Sequence, residues 1–303
     1  MATRLPDVIS SRGETCALWE WTPNHPPKGL VVVFHGLAAH TRFPTVRIAA
    51  ELLSANGYVV CGLDLPGHGA SEGLRGYIYS SQALIDDGLA AYWAACKSHP
   101  ALPTFLLGSS MGAAIAIGVA SSLTAEDATP HGIVMLAPML APAASPFLST
   151  LVSALAWTPL SRLALISSSA TSNEKQYADP AMRAEIESDE LAYKGSLRVA
   201  SVAAVLELGA TTEENLEGIR APFLCCLAER EMILGPASLD AQERLMQVAA
   251  TPEALRTLKR YDALHGLLCE PQPKRDEIML DIVGWMDERV RAAPPVRGAV
   301  ASV

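Results

Sequence analysis

The chain alternates between short continuous apolar runs and longer segments whose apolar residues recur at helical spacing. Continuous runs are typical of strands that are buried on both faces of a sheet. They begin near residues 30, 58, 103 and 132, with the sequences LVVVF, YVVCGLDL, TFLLG and GIVMLA. Helical spacing follows the first three runs, at residues 45–56, 80–98 and 112–123. This alternation predicts an α/β fold with a mostly parallel central sheet flanked by helices.

The regular alternation stops after the fourth run. The next strand-like run, PFLCCL at residues 222–227, is followed by another near residues 255–261 and by a helical pattern at 274–292. Because no internal repeat explains the gap, we interpret residues 141–215 as a helical cap inserted over the C-terminal edge of the sheet. The predicted divisions are a first core part (1–140), the cap (141–215), a second core part (216–292) and a disordered tail (293–303).

The first part of the predicted cap is strongly apolar. Residues 145–165 carry seven large aliphatic or aromatic side chains near helical spacing, and residues 141–173 contain no acidic residue. One interpretation is an ordinary packed helix. The other is a lid whose apolar face lines a pocket for an acyl chain or touches a lipid surface.

Composition and charge exclude some classes of protein. The 303 residues are 50% hydrophobic, which is enough for a large core, and the net charge of −9 provides no basic stripe for nucleic acid. The sequence has neither the apolar region of a secretory signal nor a long uninterrupted apolar span, so we expect a cytoplasmic protein. Its six cysteines match no disulfide framework, and without a CxxC or HExxH motif no metal site is predicted.

The sequence GSSMG at residues 108–112 stands directly between a predicted strand and a predicted helix. That order is what a nucleophile elbow requires, with Ser110 exposed at the apex of a sharp turn. Gly108 and Gly112 are needed because strand and helix nearly touch there. A second G-x-S-x-G match, around Ser71, follows turn-forming residues and precedes no apolar helix, so the context favours Ser110.

A serine hydroxyl becomes a good nucleophile only when an imidazole takes its proton and a carboxylate orients that imidazole. In α/β-hydrolases the order along the chain is serine, acid, histidine. Of the seven histidines, only His265 follows both Ser110 and a plausible acid in a loop after a strand. The candidate acids are Glu229, Glu231 and, less well placed, Asp240, and the strand pattern does not distinguish between the first two.

The tetrahedral intermediate of acyl transfer needs two backbone N–H donors. The residue after the nucleophile, Met111, is predicted to provide one. The loop after the first long strand, with the sequence HGL, is predicted to provide the other from Leu37.

These motifs resemble the monoacylglycerol lipase group of α/β-hydrolases, with its plant-type lysophospholipase-like and caffeoylshikimate-esterase-like relatives. The resemblance runs from about residue 14 to residue 290. It rests on VVVFHGLAAHTRF, GLDLPGHGASEGLRGYI, LLGSSMGAAIA, MLAPML, DPAMRAEIESDELAYKGSLRVA, ALHGLLCEP and Trp285. It implies the α/β-hydrolase fold with an inserted cap, Ser110 as nucleophile, His265 as base, and Leu37 and Met111 as oxyanion donors.

The resemblance also indicates which residues lie near the substrate, and the chain departs from the family pattern at one position. It places His35, Gly36 and the cap residue Tyr193 at the substrate, and it gives Ser71 a positioning role in a structural turn. Where the family usually has G-x-x-D, this chain reads A-E-R-E at residues 228–231. Glu231 then takes the place of the aspartate.

We therefore expect a serine ester hydrolase that needs no cofactor. Its substrate would be an acyl ester with an apolar chain, a monoacylglycerol or a lysophospholipid, and its cap would make peripheral contact with membranes. The alternatives are an esterase for small or aromatic acyl esters, and a catalytically weakened protein that binds small molecules.

Overall fold

The computed structural model describes residues 1–123, 129–142, 144–167 and 172–292. The strands are β1 (Thr3–Arg4), β2 (Val8–Ile9), β3 (Thr15–Cys16), β4 (Leu18–Trp21), β5 (Gly29–Phe34), β6 (Tyr58–Leu63), β7 (Thr104–Ser109), β8 (Gly132–Leu136), β9 (Ala164–Ile166), β10 (Leu197–Arg198), β11 (Phe223–Ala228) and β12 (Arg256–Tyr261). The α-helices are α1 (Pro44–Ala55), α2 (Ser81–Ser98), α3 (Met111–Ser122), α4 (Pro146–Ala156), α5 (Asn173–Gln176), α6 (Pro180–Ser188), α7 (Val199–Glu214), α8 (Pro236–Val248) and α9 (Lys274–Ala292).

Eight strands form the central sheet, in the order β1-β4-β6-β5-β7-β8-β11-β12. Six of these strands are parallel to one another: β6, β5, β7, β8, β11 and β12. The strands β4 and β1 extend the sheet beside β6 with antiparallel pairing. The predicted α/β-hydrolase fold, with its mostly parallel sheet, is confirmed.

Helices cover both faces of the sheet because its strands are apolar on both sides. In β5 all six residues are buried: Leu30, Val32 and Phe34 belong to one core cluster, and Val31 and Val33 belong to the other. The first cluster is closed mainly by α2, α3, α7 and α8, and the second by α1 and α9. This layering leaves the carboxyl ends of the parallel strands free to carry loops.

The segment between β8 and β11 contains α4, α5, α6 and α7, but it also contains an antiparallel ribbon of β9 and β10. The helical interpretation of residues 145–165 is therefore correct only for the first part, because α4 ends at Ala156. Pro159 cannot continue the helical hydrogen bonding, and the Thr158 hydroxyl accepts a bond from the Leu160 N–H as a 3-10 turn begins. The division of the chain at residues 141 and 215 stays a prediction, and the expected disordered tail lies outside the described residues.

None of the helices described here combines the length and the hydropathy needed to cross a bilayer.

Candidate active site

Ser110 occupies the sharp turn between β7 and α3. Its backbone has φ 56° and ψ −118°, a left-handed conformation that a side chain adopts only under strain. A β-carbon on Gly108 would collide with the Gly112 carbonyl, and one on Gly112 would collide with the Phe34 carbonyl. Gly108 thus allows the close approach of β7 and α3 that the sequence predicted, whereas Gly112 allows α3 to approach the end of β5. Ser110 remains half-buried at the turn.

The other G-x-S-x-G serine, Ser71, has its hydroxyl in hydrogen bonds with the backbone. The Ser71 hydroxyl donates to the Asp64 carbonyl at 2.5 Å and accepts the Ala17 N–H at 2.8 Å. The Asp64 carboxylate in turn accepts the backbone N–H groups of Thr41 and Ala70. This turn is a structural support behind the loop after β5.

The structure brings Glu231 against His265. The His265 Nδ1 lies 2.6 Å from Glu231 Oε2, and the two side chains are only 5% and 4% exposed. Glu231 Oε1 accepts the backbone N–H groups of Ile233 and Leu234 at 2.7 and 3.2 Å. Both other candidate acids, Glu229 and Asp240, are exposed to solvent.

The surroundings of Glu231 keep it ionised. Burial by itself raises the pKa of this carboxyl, but the His265 ring and the two backbone N–H groups outweigh burial and leave the pKa below its ordinary value. Because a carboxylate can only accept, the proton in the pair is on His265 Nδ1. The Nε2 lone pair is then free to act as a base.

The loop that carries His265 is held by a buried carboxylate that sequence reasoning missed. Glu270 Oε1 accepts the Leu264 N–H at 2.6 Å, and Arg230 lies 3.5 Å from Glu270 Oε2. On the other side of the histidine, the Gly266 N–H donates to the Gln176 carbonyl. A glutamate five positions after a histidine carries no recognisable signal, so only the fold reveals this contact.

The predicted oxyanion loop lies beside the nucleophile. A β-carbon on Gly36 would come within 3.7 Å of Ser110 Cβ. Met111 is the first residue of α3, where an N–H has no acceptor within the helix. Among the described residues, the Leu37 N–H has no protein acceptor either. Both donors are therefore available to a bound oxyanion.

Two residues expected at the substrate lie behind this loop instead. His35 is buried, and its Nδ1 donates to the Gly36 carbonyl while its Nε2 accepts the Leu65 N–H. The Tyr193 hydroxyl donates to the Ser196 carbonyl, and its backbone N–H donates to the Ala38 carbonyl. Neither residue is among those that line the cavity over Ser110, so in this structure both brace the loop.

A cavity of about 480 Å³ opens over Ser110. Its floor is formed by Gly36, Leu37, Ser110, Met111 and His265, and its walls are mostly apolar. The wall side chains come largely from the segment between β8 and β11: Leu148, Leu151, Val152, Leu155, Leu165, Val199, Val202, Val205 and Leu206. The described lining residues include one imidazole but no carboxylate or thiol, so the cavity offers no set of metal ligands.

Comparison with known proteins places this geometry in a family. A family model described as serine aminopeptidase, S33 matches residues 25–272. The chain is 28% identical to monoglyceride lipase of Homo sapiens over 299 residues, which cover 95% of this chain and 92% of that protein. It is 27% identical to caffeoylshikimate esterase of Arabidopsis thaliana over 277 residues, which cover 87% and 79% of the two chains.

Among solved structures, a soluble variant of monoglyceride lipase from Saccharomyces cerevisiae in complex with a substrate analogue superposes with a TM-score of 0.78. The match is 18% identical and covers 94% of this chain and 96% of that one, so it establishes the shared fold. The match to the family model spans most of the chain and contains Ser110, Glu231 and His265. This chain therefore belongs to the serine aminopeptidase S33 family and is a monoacylglycerol lipase-like α/β-hydrolase.

Proposed function

We propose that the chain is a serine ester hydrolase that cleaves acyl esters with an apolar acyl chain, of the monoacylglycerol or lysophospholipid class. The observation that carries the proposal is the buried Glu231–His265 pair, which shares the loop edge of the sheet with Ser110 beneath an apolar cavity. Relatives named monoglyceride lipase, with similarity along nearly the whole chain, support the same class of reaction.

Acylation begins when Ser110 Oγ attacks the ester carbonyl while His265 Nε2 takes its proton. Glu231 holds the ring orientation and stabilises the imidazolium that forms. The N–H groups of Leu37 and Met111 bind the oxyanion, each contributing on the order of 10²–10³ in rate. The imidazolium then protonates the leaving alcohol, which departs and leaves an acyl-serine.

Deacylation repeats these steps with water. His265 Nε2 takes a proton from a water molecule, whose oxygen attacks the acyl-serine carbonyl. Collapse of this second intermediate releases the carboxylic acid and returns the proton to Ser110 Oγ. The apolar wall of the cavity holds the acyl chain throughout and keeps bulk water from it.

Labelling with a fluorophosphonate probe tests the nucleophile. The wild type is expected to label at Ser110, and Ser110→Ala is expected to abolish labelling while the protein stays folded by circular dichroism. Labelling of His265→Ala and Glu231→Gln is expected to be much slower. A folded wild type that does not label would refute the proposal, and the pocket would then be tested as a binding site that has lost turnover.

The second candidate is an esterase for small or aromatic acyl esters, which the similarity to caffeoylshikimate esterase favours. A series of p-nitrophenyl esters separates the two. Higher kcat/KM for octanoate and longer chains supports the apolar acyl substrate. Turnover of only acetate and cinnamate-type esters would replace the first candidate with the second.

We also propose that the protein takes its substrate from a lipid surface through helix α4. Phe147 and Trp157, at the two ends of this region, are 79% and 90% exposed. Leu148 and Leu151 are partly exposed and also line the cavity, so the exposed apolar face is continuous with the cavity. Since the net charge of −9 opposes attraction to anionic lipids, apolar contact would drive this association.

A further inference from the structure

Three side chains of the kinds that bind metals converge on the face of the sheet covered by α2, away from the catalytic loops. Glu20 lies on β4, Cys61 on the neighbouring strand β6, and His99 directly after the last turn of α2. None of the three lines the cavity over Ser110 or takes part in the proposed reaction.

The register of the sheet and the end of the helix set the geometry of this cluster. Glu20 and Cys61 are direct partners across the antiparallel pair of β4 and β6, so their side chains share one face. Glu20 Oε2 lies 2.7 Å from His99 Nε2 and 3.5 Å from Cys61 Sγ. The three ligand atoms all lie within 4.8 Å of one another.

The two distances from Glu20 Oε2 are close to the ligand separations around one tetrahedral ion. With bonds of ~2.3 Å to sulfur and ~2.0–2.1 Å to nitrogen or oxygen, ligand atoms around zinc stand roughly 3.3–3.6 Å apart. The sulfur–oxygen distance already has this value. The imidazole–carboxylate distance would open by about 0.6 Å as an ion replaces the proton between these two groups.

Solvent access to the cluster, a hydrogen bond that holds Glu20, and the dipole of α2 also favour a bound cation. Cys61 is fully buried, but the side chains of Glu20 and His99 are 13% and 21% exposed, so an ion can enter from that side. The second carboxylate oxygen of Glu20 accepts the Thr22 hydroxyl, which holds the group in place. His99 follows the C-terminus of α2, where the helix dipole favours positive charge.

We propose that Glu20, Cys61 and His99 form a binding site for a thiophilic divalent cation, of which Zn²⁺ is the best match. A thiolate, an imidazole and a carboxylate are the zinc ligand types, whereas Mg²⁺ and Ca²⁺ select all-oxygen sites. A water molecule on the exposed side completes the tetrahedron. On binding, the Cys61 thiol releases its proton to solvent, and the His99 ring proton moves from Nε2 to Nδ1.

The bound ion would tie the end of α2 to the antiparallel edge of the sheet. Because it binds the folded chain, it would raise the melting temperature as its concentration rises. The site is independent of the proposed hydrolase activity, because none of its three residues lines the cavity over Ser110.

Titration of the full-length, reduced and metal-free protein with Co²⁺ tests the proposal. A tetrahedral site with one thiolate is expected to give a sulfur-to-cobalt charge-transfer band and intense visible bands at one equivalent, which Zn²⁺ then removes. Zn²⁺ is also expected to raise the melting temperature of the wild type.

Variants separate this site from adventitious binding. Cys61→Ser is expected to lose the charge-transfer band, and Glu20→Gln and His99→Gln to lose tight binding and the rise in melting temperature. Cys16→Ala, which changes another fully buried strand thiol outside the cluster, should keep the full signal. Absence of the band in the wild type, or its survival in folded Cys61→Ser and His99→Gln, would overturn the proposal.

Discussion

At Ser110 the conformation of a single residue creates the reactive geometry. Its positive φ points the hydroxyl out of the turn, and the neighbouring glycines remove the atoms that would otherwise prevent that turn. Most of this requirement is local, since it depends on five consecutive residues and the elements on either side. A short sequence motif in the right context therefore identified it. Gly112 adds one long-range requirement, because it lies against the Phe34 carbonyl of β5.

Glu231→Gln is expected to lower kcat by up to ~10⁴-fold with little change in stability, because a neutral amide can stabilise the wrong histidine tautomer. Glu229→Gln is the matched control, since Glu229 lies two positions away but is exposed. Steady-state hydrolysis of a soluble ester measures both. Equal losses in the two variants would contradict the assignment of Glu231.

Glu270 is expected to act as a positioning residue for His265. Glu270→Leu leaves the buried Leu264 N–H without its acceptor, at a cost of ~1–3 kcal/mol, and lets the histidine loop shift. We expect kcat to fall while KM stays near the wild-type value. Glu270→Gln keeps an acceptor oxygen and should restore most of kcat. A fall in melting temperature without a change in kcat would show that Glu270 only stabilises the fold.

At the scale of elements, the segment between β8 and β11 departs furthest from its predicted structure. Helix α4 begins with a Ser145 side-chain cap and a proline in the first turn, both of which are visible in the sequence. The strand β9 that follows pairs with β10, more than thirty residues later along the chain. Apolar spacing near 3.6 residues could not reveal this pairing, because its partner lies outside any local window.

Phe147→Ser together with Trp157→Ser is expected to weaken binding to neutral phosphatidylcholine vesicles, since it removes two exposed apolar groups from the face around α4. Vesicle flotation measures this binding. Hydrolysis of a soluble ester should stay unchanged, because neither residue lines the cavity. Leu280→Ser on α9, which is 73% exposed, is the matched control and should bind as the wild type does. Equal binding by all three proteins would refute the lipid contact.

At the scale of the whole molecule, two buried histidines link folding to pH. Burial and the charge of neighbouring His68 lower the pKa of His35 to about 3, and burial lowers the pKa of His68 to about 4. Both rings are therefore neutral in the folded chain at pH 5. In the unfolded chain each histidine has a pKa near 6.5 and is therefore mostly protonated at pH 5.

The free energy of unfolding is expected to fall as the pH drops from about 6.5 toward 4, because the unfolded state binds more protons in that window. Each histidine contributes a slope of about 1.4 kcal/mol per pH unit at most, and the loss ends at its folded-state pKa. Urea unfolding at several pH values measures the slope. His68→Asn keeps a donor for the Pro66 carbonyl and should reduce the slope. An unchanged slope would contradict this account.

The sequence alone determined the features that depend on neighbouring residues. Continuous apolar runs and helical spacing predicted the parallel sheet and its flanking helices, and the glycine-flanked serine predicted the turn at Ser110. The positions of Leu37 and Met111 beside that turn could also be predicted, because the position of Leu37 depends on where one strand ends and that of Met111 on where one helix begins. Such features are set by backbone stereochemistry and by which side chains avoid water.

Only the tertiary structure decided which side chains meet across elements. The family resemblance favoured Glu231 as the acid, but the strand pattern did not distinguish it from Glu229; the structure brought Glu231 to His265 and left Glu229 in solvent. It also placed His35 and Tyr193 behind the oxyanion loop and revealed Glu270 under the histidine. It also gathered Glu20, Cys61 and His99 from two strands and a helix end. The physical reason is that these contacts depend on strand order and packing, so residues far apart in the chain become neighbours without any repeat or spacing that marks them.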